Sequence, residues 1–301
     1  MENERIYEAI FIFDKYCIPL KSKNNASLYT LNSSLPENVL NATLRLLAAN
    51  NLLTYKDKSF YATEDNLLAI RQLILKKGKH SEETAILFDK INQKKEGSFF
   101  DNISDLEYEI YARCNYEISY EIGQSLCRIH DFGKACILDI GGNSGGLANA
   151  ILKSNSKCKV TVVDTSIPCV VGEEYKKLNK VSNLKFVEGD FFSLELNEQF
   201  DYIILSNVLH DFLDMECKEI LKGCKKHTKN SSKIIIIEDI LNSEIEPIEV
   251  LEYGLRLSVN TYKGKQRTVE ELNNLLSQIS FSIINKAKIN DVQSAIIYEL
   301  S

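Results

Sequence analysis

Residues 137–146, Ile-Leu-Asp-Ile-Gly-Gly-Asn-Ser-Gly-Gly, constrain the fold of this chain more than any other ten. An apolar run ends in small residues, and an apolar helical stretch, Leu-Ala-Asn-Ala-Ile-Leu, follows at once. That is a strand, a tight turn and a helix. Similar apolar runs at 159–164, 184–188, 201–207 and 233–238 alternate with helical stretches. Such alternation predicts an α/β fold, a Rossmann-like, mostly parallel sheet with helices on both faces. Ligands of these sheets bind outside the carboxyl ends of the strands, and a glycine turn opening a helix lets backbone approach a nucleotide-like ligand closely. His210 follows a later strand of the same sheet, which sets a base beside that turn.

The chain has 301 residues, enough for two domains, and a net charge of −6, which argues against nucleic acid or an anionic membrane as partner. No apolar run reaches the ~18–20 residues needed to span a bilayer. The opening residues, Met-Glu-Asn-Glu-Arg-Ile-Tyr, lack the basic region and cleavage site of a secretory signal, so a cytoplasmic location is expected. Eight cysteines are scattered singly, and none forms a Cys-x-x-Cys pair or stands at ligand spacing to one of the four His residues. They read as buried small hydrophobes, and no metal site is expected.

Residues 1–75 read as short helices followed by a hairpin. Val39, Leu40, Thr43, Leu44, Leu46 and Leu47 share a helix face, with Pro36 at its first turn and Asn50-Asn51 as its stop. Residues 52–55 and 60–63 then read as two strands about a Lys-Asp-Lys-Ser turn. This is a winged-helix pattern. A DNA-reading helix needs cations to meet phosphates, and the 37–49 helix carries only Arg45, so a packing or dimerisation role is expected instead. Residues 76–100 are charged and broken by Gly78 and Gly97, a junction; from Leu106 to Ile129, apolar residues recur at three and four, a long helix. The expected division is therefore 1–100 as a mostly helical winged-helix dimerisation domain, its helical connection running to about 130, and 101–301 as the sheet domain.

Position 143 is Asn where the dinucleotide fingerprint has its second Gly, and the turn has no P-loop Lys. Asn accepts positive φ most readily after Gly, so the same bend is open to it. Asp164 ends the second strand about twenty residues later, where a carboxylate can accept both hydroxyls of a ribose. Asp190 ends the third, beside Phe191 and Phe192, where an acid can accept from an adenine amino group and a ring can pack on the base. Gly141, Asp164 and Asp190 on successive strand ends outline an adenosine-shaped site.

The segments 137–152, 187–192 and 207–212 resemble class I S-adenosylmethionine-dependent methyltransferases, and within them the small-molecule O-methyltransferases of the caffeate and hydroxyindole type. The resemblance continues through 220–221, 234–241 and Gly264-Lys-Gln-Arg-Thr, and the helix–hairpin pattern matches that family's winged-helix dimerisation domain. It implies S-adenosylmethionine as cofactor, a small, aromatic or secondary-metabolite acceptor, and a homodimer. It also implies that His210 removes the proton from the acceptor hydroxyl and that Glu238 holds the imidazole. A phenol of pKa ~10 is a poor nucleophile at neutral pH, and a positioned imidazole is the usual remedy. Three departures stand out: Phe212 replaces a common Trp, Ser206 stands where many members have a cofactor-contacting Lys, and Gln266 replaces the family's second orienting acid. The family's acceptor walls fall here on Phe99, Phe100, Tyr108, Tyr111 and Arg256. N-, C- or S-methylation on the same fold, a non-catalytic dimeric scaffold, and an NAD(P) oxidoreductase stay open as alternatives.

Overall fold

The computed structural model describes residues 4–21, 29–57, 59–77, 91, 103–241, 248–261 and 263–301. The chain divides into two compact units: residues 1–99 with 242–265, and residues 100–241 with 266–301. The return of 242–265 to the first unit is absent from the sequence reading, which placed that segment in 101–301. Its helix, Ile248–Asn260, packs on the Glu37–Ala49 helix, and the Asn38 amide donates to the Gly264 carbonyl at 2.9 Å. No signal in a linear pass reveals such a pairing, because both helices are amphipathic in the ordinary way.

In the first unit, strands β1 (Cys17–Lys21), β2 (Tyr29–Ser33), β3 (Thr54–Lys56) and β4 (Ser59–Ala62) form an antiparallel sheet in the order β1-β2-β4-β3. The Glu37–Ala49 helix starts after Pro36 and stops at Asn50, and Asn51 turns the chain at φ +57°. Five of the six residues on its expected face are buried, Leu40 being half-buried. The β3–β4 hairpin begins two residues later than the apolar pattern indicates, since Leu52 and Leu53 lie buried in the preceding turn. The β1–β2 pair was not foreseen.

The second unit carries β5 (Cys136–Ile140), β6 (Lys159–Asp164), β7 (Leu184–Glu188), β8 (Phe200–Ser206), β9 (Thr228–Asp239), β10 (Phe281–Lys288) and β11 (Gln293–Leu300) in the order β10-β11-β9-β8-β5-β6-β7. Only β11 runs against the rest. Both faces of the central strands β5, β6, β8 and β9 are covered, which is why these read as largely apolar runs rather than alternating ones. Ile234 and Ile236 of β9 enter a core with the Asp214–Lys226 and Val269–Ser277 helices, while Ile235 and Ile237 enter the opposite core. That second core holds Ile122 and Leu126 of the Asp105–Ile129 helix and Leu147 and Ile151 of the Gly146–Ser154 helix.

The long helix opens with a capping box, Ser104 and Glu107 exchanging side-chain and backbone bonds at 2.8 and 3.3 Å. It buries Ala112, Tyr116, Ile122, Gly123 and Leu126 and leaves Leu106, Ile110, Cys114, Ile118 and Ile129 exposed, so most of the expected apolar face points outward. A Cβ at Gly123 would come within 2.8 Å of the Leu147 carbonyl, so this glycine lets the long helix lie directly on the helix that follows the glycine turn. Of the eight cysteines, five are buried, as small hydrophobes should be, and Cys114 is exposed. Among the described residues no helix is long and apolar enough to cross a membrane.

Candidate active site

The strand order reverses at β5: the chain moves outward through β6 and β7, then returns to β8 and β9 on the other side. Ligands bind at such a switch point. Ile140 is level with Val163 and Leu205, and Ser206 is level with Ile237. Gly141, Asp164, Ser206 and Glu238 therefore stand along one edge of the sheet, and Asp190 lies two residues beyond Glu188, the partner of Asp164.

Gly141, Asn143 and Gly145 take φ of +66°, +51° and +79°, so Asn143 makes the left-handed bend that the fingerprint glycine would. The Gly141 amide donates to the Val163 carbonyl at 2.8 Å, fastening the turn to β6. Asp164, 7% exposed, fastens it again: Oδ2 accepts from the Asn143 amide and Oδ1 from the Thr165 amide, both at 2.8 Å. Burial raises its pKa, against these hydrogen bonds. Thr165 Oγ1 also donates to Oδ1, weakly, at 3.4 Å. Tyr108 lies beside it, its hydroxyl 2.7 Å from Thr165 Oγ1. Under the turn, Asp139 is wholly buried, and neither of its carboxyl oxygens has a hydrogen-bond partner among the described residues. Burial, and then the charge of Asp164, push its pKa up to about 8.

Asp190 is exposed. Its oxygens accept from the Phe192 amide at 2.9 Å and the Ser193 hydroxyl at 3.3 Å, a local turn. Phe191 is half-buried and packs with Phe192 and Phe212, ring centroids 5.4–5.7 Å apart. Ser206 is half-buried at the end of β8.

Beyond Ser206, Asn207 turns the chain at φ +55°, and a 3-10 turn, Leu209–Asp211, carries His210. Glu238 serves this turn twice. Its Oε1 accepts from the amides of Val208 at 3.2 Å and His210 at 3.3 Å, and its Oε2 lies 2.7 Å from His210 Nδ1. Asp211 Oδ1 is 3.6 Å from Nε2. Burial lowers the imidazole pKa, but Glu238, Asp211 and Asp239 outweigh it and bring it to about 9. Asp211 is itself pushed up to about 6, by burial first and by Glu238, against the pull of His210.

The structure thus gathers Gly141, Asp164, Ser206, His210 and Glu238 at one end of the sheet, with Asp190 and Phe191 on the neighbouring loop. Gln266 is buried. Phe99 and Phe100 lie outside the described residues, and Arg256 belongs to the first unit. Tyr111 lies where the charges of both Asp164 and Asp211 act on its phenol, which burial foremost keeps from ionising. Sequence reasoning missed Asp139, Asp211 and Arg267 as parts of this site. A buried acid in a strand and an Arg before a helix cap carry no periodic signal, although His-Asp adjacency at 210–211 was visible.

A family model described as O-methyltransferase domain matches residues 94–282. Acetylserotonin O-methyltransferase of Bos taurus is 32% identical over 146 residues, 48% of this chain and 42% of that protein. The chain thus matches somewhat less than half the length of that relative. An O-methyltransferase family 2 protein from Planctomyces limnophilus, solved with apigenin, superposes with a TM-score of 0.80 at 16% identity, covering 99% of this chain and 93% of that one. Human N-acetylserotonin methyltransferase, solved in complex with SAM, gives a TM-score of 0.63 at 22% identity over 86% of this chain and 82% of that one. At these identities the two structures establish likeness of fold.

Proposed function

This chain belongs to the O-methyltransferase domain family, and on that premise we propose that it transfers the methyl group of S-adenosylmethionine to a hydroxyl of a small aromatic acceptor, with His210 as general base. The observation that carries the reading is the buried imidazole 2.7 Å from Glu238 at the carboxyl end of the sheet, beside the glycine turn.

The residues present fit the cofactor. The Asp164 carboxylate is suited to accept from ribose hydroxyls, Asp190 and Phe191 are suited to the adenine, and Gly141 leaves backbone bare. Ser206 offers a hydroxyl where a Lys is common. The unpaired carboxyl of Asp139 and the carboxylates of Asp164, Asp211 and Glu238 suit a ligand that carries sulfonium and ammonium charges. When bound, S-adenosylmethionine supplies an electrophilic methyl group.

His210 then has one task, to take the acceptor's proton on Nε2, the nitrogen opposite the one Glu238 holds. Glu238 fixes the tautomer by engaging Nδ1 and stabilises the imidazolium once formed. With a pKa of about 9, the imidazole of the free protein is largely protonated at neutral pH. A cation bound nearby lowers that value and frees the base. His210→Ala should lower turnover by roughly 10²–10⁴, the usual worth of general-base catalysis, while leaving S-adenosylhomocysteine affinity nearly intact. Assays over a panel of hydroxylated aromatics check this. Near-normal turnover in the variant would remove the base from the reading.

We also propose a homodimer joined mainly through residues 1–130. The 37–49 helix has one cation, a poor DNA reader, and two-fold pairing is the commonest assembly. Light scattering should give twice 34.2 kDa; a clean monomer would refute it.

A further inference from the structure

Resting on the methyl-transfer reading, we propose that Arg267 is a positioning residue for His210, the second jaw of a clamp whose first jaw is Glu238. Its side chain is buried, and every kind of guanidinium nitrogen is engaged. Nη1 donates to the Leu209 carbonyl at 2.6 Å and Nη2 to the Phe212 carbonyl at 2.7 Å, the two carbonyls that bracket His210 and Asp211. Nε and Nη2 reach Asp214 Oδ1 at 3.0 and 2.8 Å, which anchors the fork at the start of the following helix. Glu238 takes the amides of the same turn, at Val208 and His210. An anion thus holds the donors of the turn and a cation holds its acceptors.

The two jaws share a frame. The Leu241 amide donates to the Arg267 carbonyl at 3.0 Å, and Leu241 bridges to Thr268, so the backbone of Arg267 is fixed to the chain three residues beyond Glu238. Thr268 is the N-cap of the next helix and forms a capping box with Glu271 at 2.8 and 3.2 Å. Arg267 therefore enters the site from a backbone that is held on both sides. A short 3-10 turn has few internal hydrogen bonds, so its orientation is set from outside. A planar fork can serve two carbonyls and a carboxylate together; a Lys ammonium is a point charge on a flexible stem.

The test is a pH titration of ¹³C-labelled histidines in the full chain, with His210→Gln assigning the His210 signal among the four His residues. The groups acting on that imidazole are Glu238, Asp211 and Asp239, and wild type should titrate at about 9. Arg267→Lys keeps the charge and loses the fork, so its His210 titration should fall toward the ordinary ~6.5 as the ring moves off its carboxylates. Arg267→Met should fall further and broaden, although loss of a cation alone would raise the value. Turnover should drop about 10- to 100-fold, the scale of misplacing a reacting group by an ångström, with S-adenosylhomocysteine affinity held. A merely structural role would lower the melting temperature and leave the titration where it was. If Arg267→Met does not fold, Arg267→Lys decides. Unchanged His210 titration in the folded variants overturns the proposal, and because the readout needs no acceptor, it stands apart from any failure of the methyl-transfer reading.

Discussion

The two loops that flank the candidate cleft are held in opposite ways. The His210 turn is gripped by residues far away in sequence, Glu238 and Arg267, through four hydrogen bonds to its backbone. The hydrogen bonds of the Asp190 carboxylate are local, to residues two and three positions on, while Phe191 packs on Phe212 and the core. The His210 turn takes its side-chain hydrogen bonds from tertiary structure, whereas the exposed Asp190 takes its own from local structure. The difference matches the two tasks. Proton transfer depends steeply on placement, whereas holding an adenine tolerates adjustment.

The most damaging way to break the comparison is to remove Glu238. Glu238→Ala deletes two backbone contacts and leaves a buried imidazolium without its main counter-charge, a change that costs about 3–5 kcal/mol in other buried pairs. Urea unfolding should show that loss, and turnover should vanish with it. Glu238→Gln keeps an acceptor for the amides, so it should stay folded while losing turnover. Stability should also depend on pH in a set direction. The pKa of His210 is raised on folding, so its contribution is full below ~6.5 and is lost as pH rises through about 9; unfolding free energy measured from pH 6 to 10 should show a decline that His210→Gln reduces, the remainder below pH 8 belonging to Asp139, whose pKa is raised to about 8.

Asp164→Ala is next. It removes the ribose acceptor and the carboxylate that ties the Asn143 amide, and calorimetry should show S-adenosylhomocysteine binding weaker by ~1–3 kcal/mol. Asp190→Ala should cost ~1 kcal/mol or less, because its turn is exposed and its loss disturbs nothing beyond Ser193. Equal losses at the two acids would erase the distinction drawn between the loops. The smallest effect belongs to Gln266→Glu, which should be tolerated or mildly activating in a turnover assay, since it restores a carboxylate where the resembling enzymes carry one.

Local rules made much of this molecule legible and non-local ones hid the rest. Strands β5, β6, β8 and β9 were visible because burial on both faces favours runs of Val, Ile and Leu, and the 37–49 helix because Pro36 and Asn50-Asn51 bracket an apolar face. The C-terminal β10–β11 pair was not foreseen: β10 is largely exposed and carries Lys286 and Lys288, so burial imposes no pattern on it. In the site, Gly141, Asp164, His210 and Glu238 were legible as polar or flexible residues that interrupt apolar strand ends. Arg267 was not, because its meaning lies in carbonyls more than fifty residues away.

The most direct test of the central claim is the pH dependence of kcat/KM for S-adenosylmethionine, which reports the free protein. If His210 must lose a proton held by Glu238, Asp211 and Asp239 before it can act, kcat/KM should rise tenfold per pH unit and level off near 9, and the residual activity of His210→Gln should lack that limb. A profile that is flat between pH 6 and 9, or a limb that survives in His210→Gln, would contradict the account.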